Sequence, residues 1–331
     1  MAVAAPLAAS RLAPSPTGPL HVGNACTFLV NWALARKLGW RLHLRIEDLD
    51  TARVQAAATE AEVDLAWLGV DHDGPPVRQS DRMPLYHQAM EALAAAGLVY
   101  QSPHSRAEVR EAAAALSAPH QPAGAPFPHT LRPPPGPAWG FARADVNHRL
   151  RVDPGDIAVQ DQLHGLSTFH PAQSEGDFIV WTKSGYPAYQ LAVVVDDAAQ
   201  GVTDVVRGQD LLPSAALQTL IYRALGKPAP RWWHLPLVTD AAGQRLAKRA
   251  GSYSLTHLRQ TGTPPERVVG LVAWWCGAQP SLQPMDAARL PAALHPSMLR
   301  VWAARAAHQP PSLTDPILEW LHTGSAPASS L

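Results

Sequence analysis

Several stretches of this 331-residue chain carry side chains whose types and order suit chemistry on phosphates and charged substrates. The first is Pro14-Ser15-Pro16-Thr17-Gly18-Pro19-Leu20-His21-Val22-Gly23-Asn24, which falls between a strand-like and a helix-like segment. Backbone N–H groups at such a junction, helped by the helix dipole, favour a phosphate. His21 adds a side-chain donor, and Gly23 permits close approach of backbone or nucleotide because a Cβ there would be in the way. Taken singly, a glycine in a strand-loop-helix turn is weak evidence. A second stretch, Arg45-Ile46-Glu47-Asp48, puts two carboxylates at the end of an alternating apolar segment. A third, Arg245-Leu246-Ala247-Lys248-Arg249, is a basic turn after another apolar run.

The elements that must position these residues follow from the pattern around them. RLAPSPTGPLHVGN leads into the helix-like CTFLVNWALARKLG, Gly39 ends that helix, and RLHLRIED follows as a strand with Leu42, Leu44 and Ile46 alternating with polar residues. This is a βαβ opening, and Glu47 and Asp48 fall at the carboxyl end of its second strand, where open α/β sheets place ligand-binding groups. Packing helices are expected near 52–68, with Val54, Ala58, Ala61, Leu65 and Leu68 on one face, and near 81–96, opened by Ser80 as a cap. From about 100 to 186 the helical rhythm fails, and HRLRVD and DFIVWTKSG suggest a β-rich insertion. The run YQLAVVVDD reads as a strand buried on both faces. GVTDVVRGQDLL then leads into a helix near 214–225 closed by Gly226, HLPLV at 234–238 reads as a strand, and helices are expected near 254–260 and 265–277.

Composition sets the outer bounds. Lys and Arg number 27 against 27 Asp and Glu, so there is no global basic excess for gripping nucleic acid, and any RNA contact must be local. Cys26 and Cys276 stand far apart without metal-like spacing, which suits a reduced cytoplasm, and the histidines form no close pair on one helical face. No stretch approaches the ~20 apolar residues that cross a bilayer, so a soluble cytoplasmic monomer with no membrane partner is expected. The 33 prolines are about twice the ~5% of an average protein. Many fall between Pro119 and Pro137, a stretch that cannot hold a helix or a central strand.

Read whole, the segment ending His21-Val22-Gly23-Asn24 resembles the first signature of the class I aminoacyl-tRNA synthetases, and the preceding Ala-Pro-Ser-Pro-Thr-Gly is similar to their glutamyl branch. RIEDLD at 45–50 and YQLAVVVDDAAQGVTDVVRGQDLL at 189–212 look like that branch too, in the same order. Arg245-Leu246-Ala247-Lys248-Arg249 is similar to the second signature, with Lys248 kept, Arg245 in place of its first lysine, and Ala247 in place of a serine. The resemblance implies an α/β fold: a Rossmann-like catalytic domain split by a β-rich insertion, with a short helical C-terminal part. On that basis 1–10 is a tail, 11–100 and 187–253 are the two catalytic halves, 101–186 is the insertion, and 254–331 is the helical end.

The resemblance also implies residue roles. Glutamate carries two carboxylates and one ammonium, so its pocket needs cationic forks and at least one anion. Arg11, Ser15, Glu47, Tyr189 and Arg207 are implied to hold it, with Glu47 on the α-ammonium, Arg11 and Arg207 dividing the carboxylates, and Tyr189 donating a hydroxyl hydrogen bond. Pro14, Thr17, Gly18, His21, Gly23, Asn24, Arg245 and Lys248 are implied to bind ATP, with His21 and Lys248 acting on the phosphates and Mg2+ arriving with the nucleotide. Relatives often carry a zinc site that begins with Cys-x-Cys after the helix ending near 98. Here Ser102 and His104 take those places, so zinc is expected to be absent. The stretch beyond Lys248 is too short for the large anticodon-binding region of glutamyl-tRNA synthetases. That points to the branch that joins glutamate to the queuosine base of tRNA(Asp). The alternatives left open are a minimal enzyme charging the 3′ end of tRNA(Glu) and a non-catalytic amino-acid- or tRNA-binding paralogue. Arg259 and Arg267 are expected to add local positive charge for RNA.

Overall fold

The computed structural model describes residues 7–15, 18–49, 54–116, 126–244, 246 and 253–325, without the side chains of 54–58 and 115–116. Strand β1 (Ala9–Leu12) is buried along its whole length. The central strand therefore begins inside the stretch expected as a tail. Helix α1 (Val22–Leu38) ends at Gly39, whose φ of 68° gives the left-handed turn that a residue without a Cβ adopts at no cost. β2 (Arg41–Ile46) pairs in parallel with β1 and then with β3 (Val77–Arg78). Between β2 and β3 runs α2 (Val54–Trp67), which buries Ala61 and Leu65, with Leu68 just beyond its end.

Helix α3 (Met83–Ala95) starts later than expected, and its N-cap is Arg82 without a side-chain cap. Ser80 sits in the preceding 3-10 turn, where its hydroxyl donates to Asp48 at 2.8 Å, so it fastens the end of β2 instead of opening the helix. After β4 (Val99–Gln101) comes α4 (Arg106–Leu116), a helix in the stretch where no helical rhythm was expected. β5 (His148–Leu150), the hairpin β6 (Ile157–Asp161) and β7 (Gly165–Phe169), the short α5 (Pro171–Ser174) and β8 (Phe178–Trp181) follow. β4, β5 and β8 form an antiparallel sheet.

The run YQLAVVVDD is a helix, α6 (Tyr189–Ala199), not a strand. A helix surrounded by protein is apolar on all sides, so periodicity cannot separate it from a doubly buried strand. Here Leu191 to Asp197 are all buried, against α3, α7 (Leu212–Ala224) and β8. Strand β9 (Asp204–Gly208) precedes α7, and β10 (Arg231–Leu235) stands a little earlier in the chain than expected and ends before Pro236.

The sheet order explains where a ligand can sit. β9, β10 and β6 run parallel, with β7 antiparallel at the edge. β9 lies alongside β1: Thr203 N donates to Ala9 O at 2.9 Å, and Arg11 Nη1 donates to Val206 O at 3.3 Å. The strand order thus runs outward from β1 through β2 to β3 on one side, and from β9 through β10 to β6 on the other. In open α/β sheets the crevice at the carboxyl ends, where the order reverses, is the ligand site.

Beyond β10, β11 (Thr239–Asp240) leads toward α8 (Leu255–Gln260) and α9 (Pro265–Trp275), and then α10 (Leu290–Ala293), α11 (Pro296–Ala306), β12 (Ser312–Leu313) and α12 (Asp315–Thr323) close the fold. β11 pairs with β12. Of the two arginines expected to add charge for RNA, Arg259 is neutralised by carboxylates, and Arg267 is tied down by backbone carbonyls that leave its charge in place. Arg259 pairs with Glu60 and Asp64 and so ties α8 to α2, while Arg267 donates to the carbonyls of Leu321 and His322 at the end of α12. Among the described residues no helix is long and apolar enough to cross a membrane.

Candidate active site

A cleft of about 740 Å³ opens at the carboxyl ends of β1, β2, β9 and β10. Arg11, Ser15, Glu47, Tyr189 and Arg207 all line it, as do Pro14, Gly18, His21, Gly23 and Asn24. Thr17, Arg245, Lys248 and Arg249 lie outside the described residues. Leu246, the described residue of that basic turn, is buried, lines the cleft and donates its N–H to Val238 O at 3.5 Å.

The helix end that faces the cleft is held by its own side chains. His21 is the N-cap of α1. Its Nδ1 accepts from Gly23 N at 3.1 Å, and its backbone N–H donates to Asn24 Oδ1 at 3.0 Å. A ring nitrogen that accepts carries no proton, so the neutral His21 ring keeps its proton on Nε2. A Cβ on Gly23 would stand 3.0 Å from His21 Nδ1 and Cε1. The neighbour that excludes a side chain at position 23 is thus the His21 ring itself. Leu255 N donates to Leu20 O at 2.8 Å and pins the preceding loop to the start of α8.

On the opposite wall, charge is arranged with economy. Ser15 Oγ donates to Glu47 Oε2 at 2.9 Å, and Arg45 Nη2 lies 3.5 Å from Glu47 Oε1. Arg45 is fully buried and donates to Asp197 Oδ1 at 2.6 Å, and the same oxygen accepts from Arg11 Nε at 3.3 Å. Asp196 collects Gln79, Arg82 and Tyr86. Tyr189 opens α6 and is 41% exposed toward the cleft. Loss of solvation among the cleft walls raises its phenol pKa, which keeps it a donor.

Arg207 differs from the other arginines. It is 5% exposed, and its donors go to neutral acceptors: Nε to His234 Nε2 at 3.0 Å, Nη1 to Gln218 Oε1 at 2.9 Å, and Nη2 to Leu211 O at 3.1 Å. Its guanidinium carbon stands 4.8 Å from the Trp232 ring centroid. Among the described residues it has no carboxylate partner, and burial lowers its pKa from the ordinary value. A buried cation beside an open cleft without its own anion is suited to an anion brought by a ligand.

Residues 8–281 match the family described as tRNA synthetases class I (E and Q), catalytic domain. The chain belongs to this family. Among relatives of this class I synthetase is the glutamyl-Q tRNA(Asp) synthetase of Rhodopirellula baltica, 39% identical over 93% of this chain and 97% of that one. The glutamyl-Q tRNA(Asp) synthetase of Deinococcus radiodurans is 42% identical over 91% of this chain and 98% of its own length. The fold is similar to that of the glutamate-tRNA synthetase from Elizabethkingia anophelis, with a TM-score of 0.77, 23% identity, and coverage of 95% of this chain and 70% of that one.

Several residues that shape the synthetase cleft were not singled out from the sequence. Arg45, Asp196 and Asp197 sit in motifs that were, but as neighbours of the chosen residues. Asp161 and His234 lie 73 residues apart, and only the fold brings them together. One signal was present: a histidine inside the apolar RWWHLP is a polar group in a buried strand, and such groups need partners. The place expected to have lost a zinc site is filled by protein contacts. Ser102 is buried and its Oγ accepts from Arg149 Nε at 3.1 Å, so it does not fit a metal.

Proposed function

We propose that the chain activates glutamate with ATP to glutamyl adenylate, without needing tRNA for that step, and then transfers glutamate to the queuosine base of tRNA(Asp). The observation that carries this is the convergence of Arg11, Ser15, Glu47, Tyr189 and Arg207 on one cleft beside the α1 N-terminus. Glu47, held by Ser15, is the anion for the α-ammonium. Arg207, whose charge no described carboxylate neutralises, takes a glutamate carboxylate, and Arg11 and Tyr189 complete the set.

ATP lies along Pro14, Gly18, His21, Gly23 and Asn24, with Thr17, Arg245 and Lys248 completing the nucleotide set. The α-carboxylate of glutamate attacks the α-phosphorus, a P–O bond forms, and pyrophosphate leaves with the electrons of the broken P–O bond. The acceptor on queuosine then attacks the adenylate carbonyl and AMP leaves. No enzyme nucleophile is needed. The rate comes from in-line placement and from donors aimed at charge developing on the phosphates, which is the work assigned to His21 and Lys248. Magnesium accompanies the nucleotide, held by phosphate oxygens and water.

The test has two arms. Glutamate-dependent pyrophosphate exchange in the absence of RNA is expected, and its absence at every glutamate concentration would remove the tRNA-independent step. Labelled glutamate should then enter tRNA(Asp) from cells that make queuosine and not tRNA(Asp) from cells that cannot. Equal labelling of both, or loss of labelling after enzymatic removal of the 3′-terminal adenosine, would assign the product to a tRNA 3′ end instead.

A further inference from the structure

Behind the cleft wall a buried hydrogen-bond chain ends on the cation without an anion. Asp161 closes β6 and is 1% exposed. Its Oδ1 accepts from Leu163 N at 2.8 Å and His164 N at 3.0 Å, and its Oδ2 accepts from His234 N at 3.1 Å and His234 Nδ1 at 2.7 Å. Burial alone would raise the pKa of this carboxyl, but the hydrogen bonds it accepts outweigh that and hold it below its usual range. With Nδ1 donating to Asp161, the fully buried His234 ring has Nε2 free of a proton, and Nε2 accepts from Arg207 Nε at 3.0 Å. On the far side, Gln218 accepts from Arg207 and donates to Gln190 Oε1 at 2.8 Å, and Gln190 donates to Ser214 Oγ at 3.1 Å.

We propose that Asp161 and His234 are a positioning pair for Arg207: they fix the plane of its guanidinium toward the substrate carboxylate, and they make affinity for glutamate fall on acidification. The proposal rests on the assignment of the cleft to glutamate. Two physical points support it. A carboxylate placed directly on Arg207 would neutralise the charge that the substrate needs. Asp161 is instead one ring removed, with its oxygens occupied by His234 and backbone N–H groups, so Arg207 is oriented without being paired. The second point is the tautomer. If His234 takes a proton, Nε2 becomes a donor facing a donor, and two cations meet in a buried site. Asp161 from β6 and Arg207 from β9 contact the ring, and His164 from the β6–β7 turn contacts the His234 backbone carbonyl at 2.8 Å. Burial is the largest cause lowering the His234 pKa, Arg207 and His164 act in the same direction, and Asp161 opposes them.

Pyrophosphate exchange by the full-length chain should be measured from about pH 5 to about pH 8, a range extended to the acid side because burial lowers the His234 pKa from the ordinary value, for wild type, His234→Gln, His234→Phe and Asp161→Asn. In wild type, KM for glutamate should rise toward the acid end while KM for ATP stays level. His234→Phe should raise glutamate KM about tenfold or more, with ATP KM changed by less than about twofold, as expected when one charge-assisted contact is lost from one substrate. A glutamine side chain can accept from Arg207 and donate to Asp161 but cannot titrate. His234→Gln should therefore raise glutamate KM several-fold at every pH and abolish its acid limb. Asp161→Asn, which keeps the volume, should raise glutamate KM even if His234→Phe fails to fold. Retention of the acid limb in His234→Gln, or equal changes in both KM values across the variants, would overturn the pairing while leaving the glutamate assignment intact. A wild-type chain without glutamate-dependent exchange would overturn both.

Discussion

A guanidinium taken out of water costs several kcal/mol unless its donors and charge are satisfied, and Arg207 meets only the first condition within the described chain. On the proposed assignment of the cleft to glutamate, the second is left to the ligand, whose carboxylate Arg207 would receive. Arg207→Ala should cost about 2–4 kcal/mol of transition-state binding, or about 30- to 1000-fold in kcat/KM for glutamate in pyrophosphate exchange. Arg207→Lys should recover little of this, because one ammonium cannot meet the separately placed His234, Gln218 and Leu211 acceptors while also facing the ligand. A loss under about threefold for Arg207→Ala would remove this residue from the pocket. At this scale the sequence was informative about what sits in a contiguous motif: local order placed His21, Gly23 and Glu47 at the loop and strand end that line the cleft, and the resemblance supplied the roles expected of them. Asp161 and His234 could not, because their meaning comes from a contact across the sheet that no spacing along the chain encodes.

Elements were legible where the sequence marks their ends or faces and misread where it does not. Gly39 ends α1 as expected and an apolar alternation marks β2, but α1 starts at Val22, four residues before the expected helical segment at Cys26, because His21 caps it. α6 defeats periodicity because it is wrapped by protein, and its terminal Asp196 and Asp197 make ion pairs instead of ending a strand. Arg45 had looked like an outward polar position in β2, yet it is fully buried because these carboxylates receive it. This seam joins β1 and β2 to α6 directly beneath the cleft. Arg45→Met removes the cation at 2.6 Å from Asp197 and leaves that carboxylate with Arg11 alone, at 3.3 Å. Breaking a buried pair from one side costs about 3–5 kcal/mol, so chemical denaturation should show a loss of that size. Glutamate KM should rise as well, because Arg11 and Glu47 lose a shared neighbour. A variant as stable as wild type would show that the seam orients residues without adding stability.

Across the whole molecule, two apolar cores meet along that seam. One surrounds α1, β1, β2 and the C-terminal helices, and the other surrounds α3, α6, α7 and the strands between 99 and 181. Ionisable side chains inside such cores couple folding to pH, and the sign follows from which state holds more protons. His148 and His234 are both fully buried, and loss of solvation is the largest cause lowering each pKa below the ordinary 6.5. The unfolded chain protonates these rings as pH falls through about 6.5, whereas the folded chain resists, so the unfolded state binds more protons and stability drops on acidification. Asp161 adds a later loss. Its folded pKa is depressed, so its contribution persists through mild acid and disappears only when pH falls through that lower value. Calorimetric Tm should therefore be lower at about pH 5.5 than at about pH 7.5, with each unit of histidine depression contributing about 1.4 kcal/mol once both forms lie in the acid range. His234→Gln should flatten part of this slope, because an amide takes up no proton in either state. A Tm that holds level or rises on acidification would mean that the folded chain takes up at least as many protons as the unfolded one, against the direction expected from these buried rings.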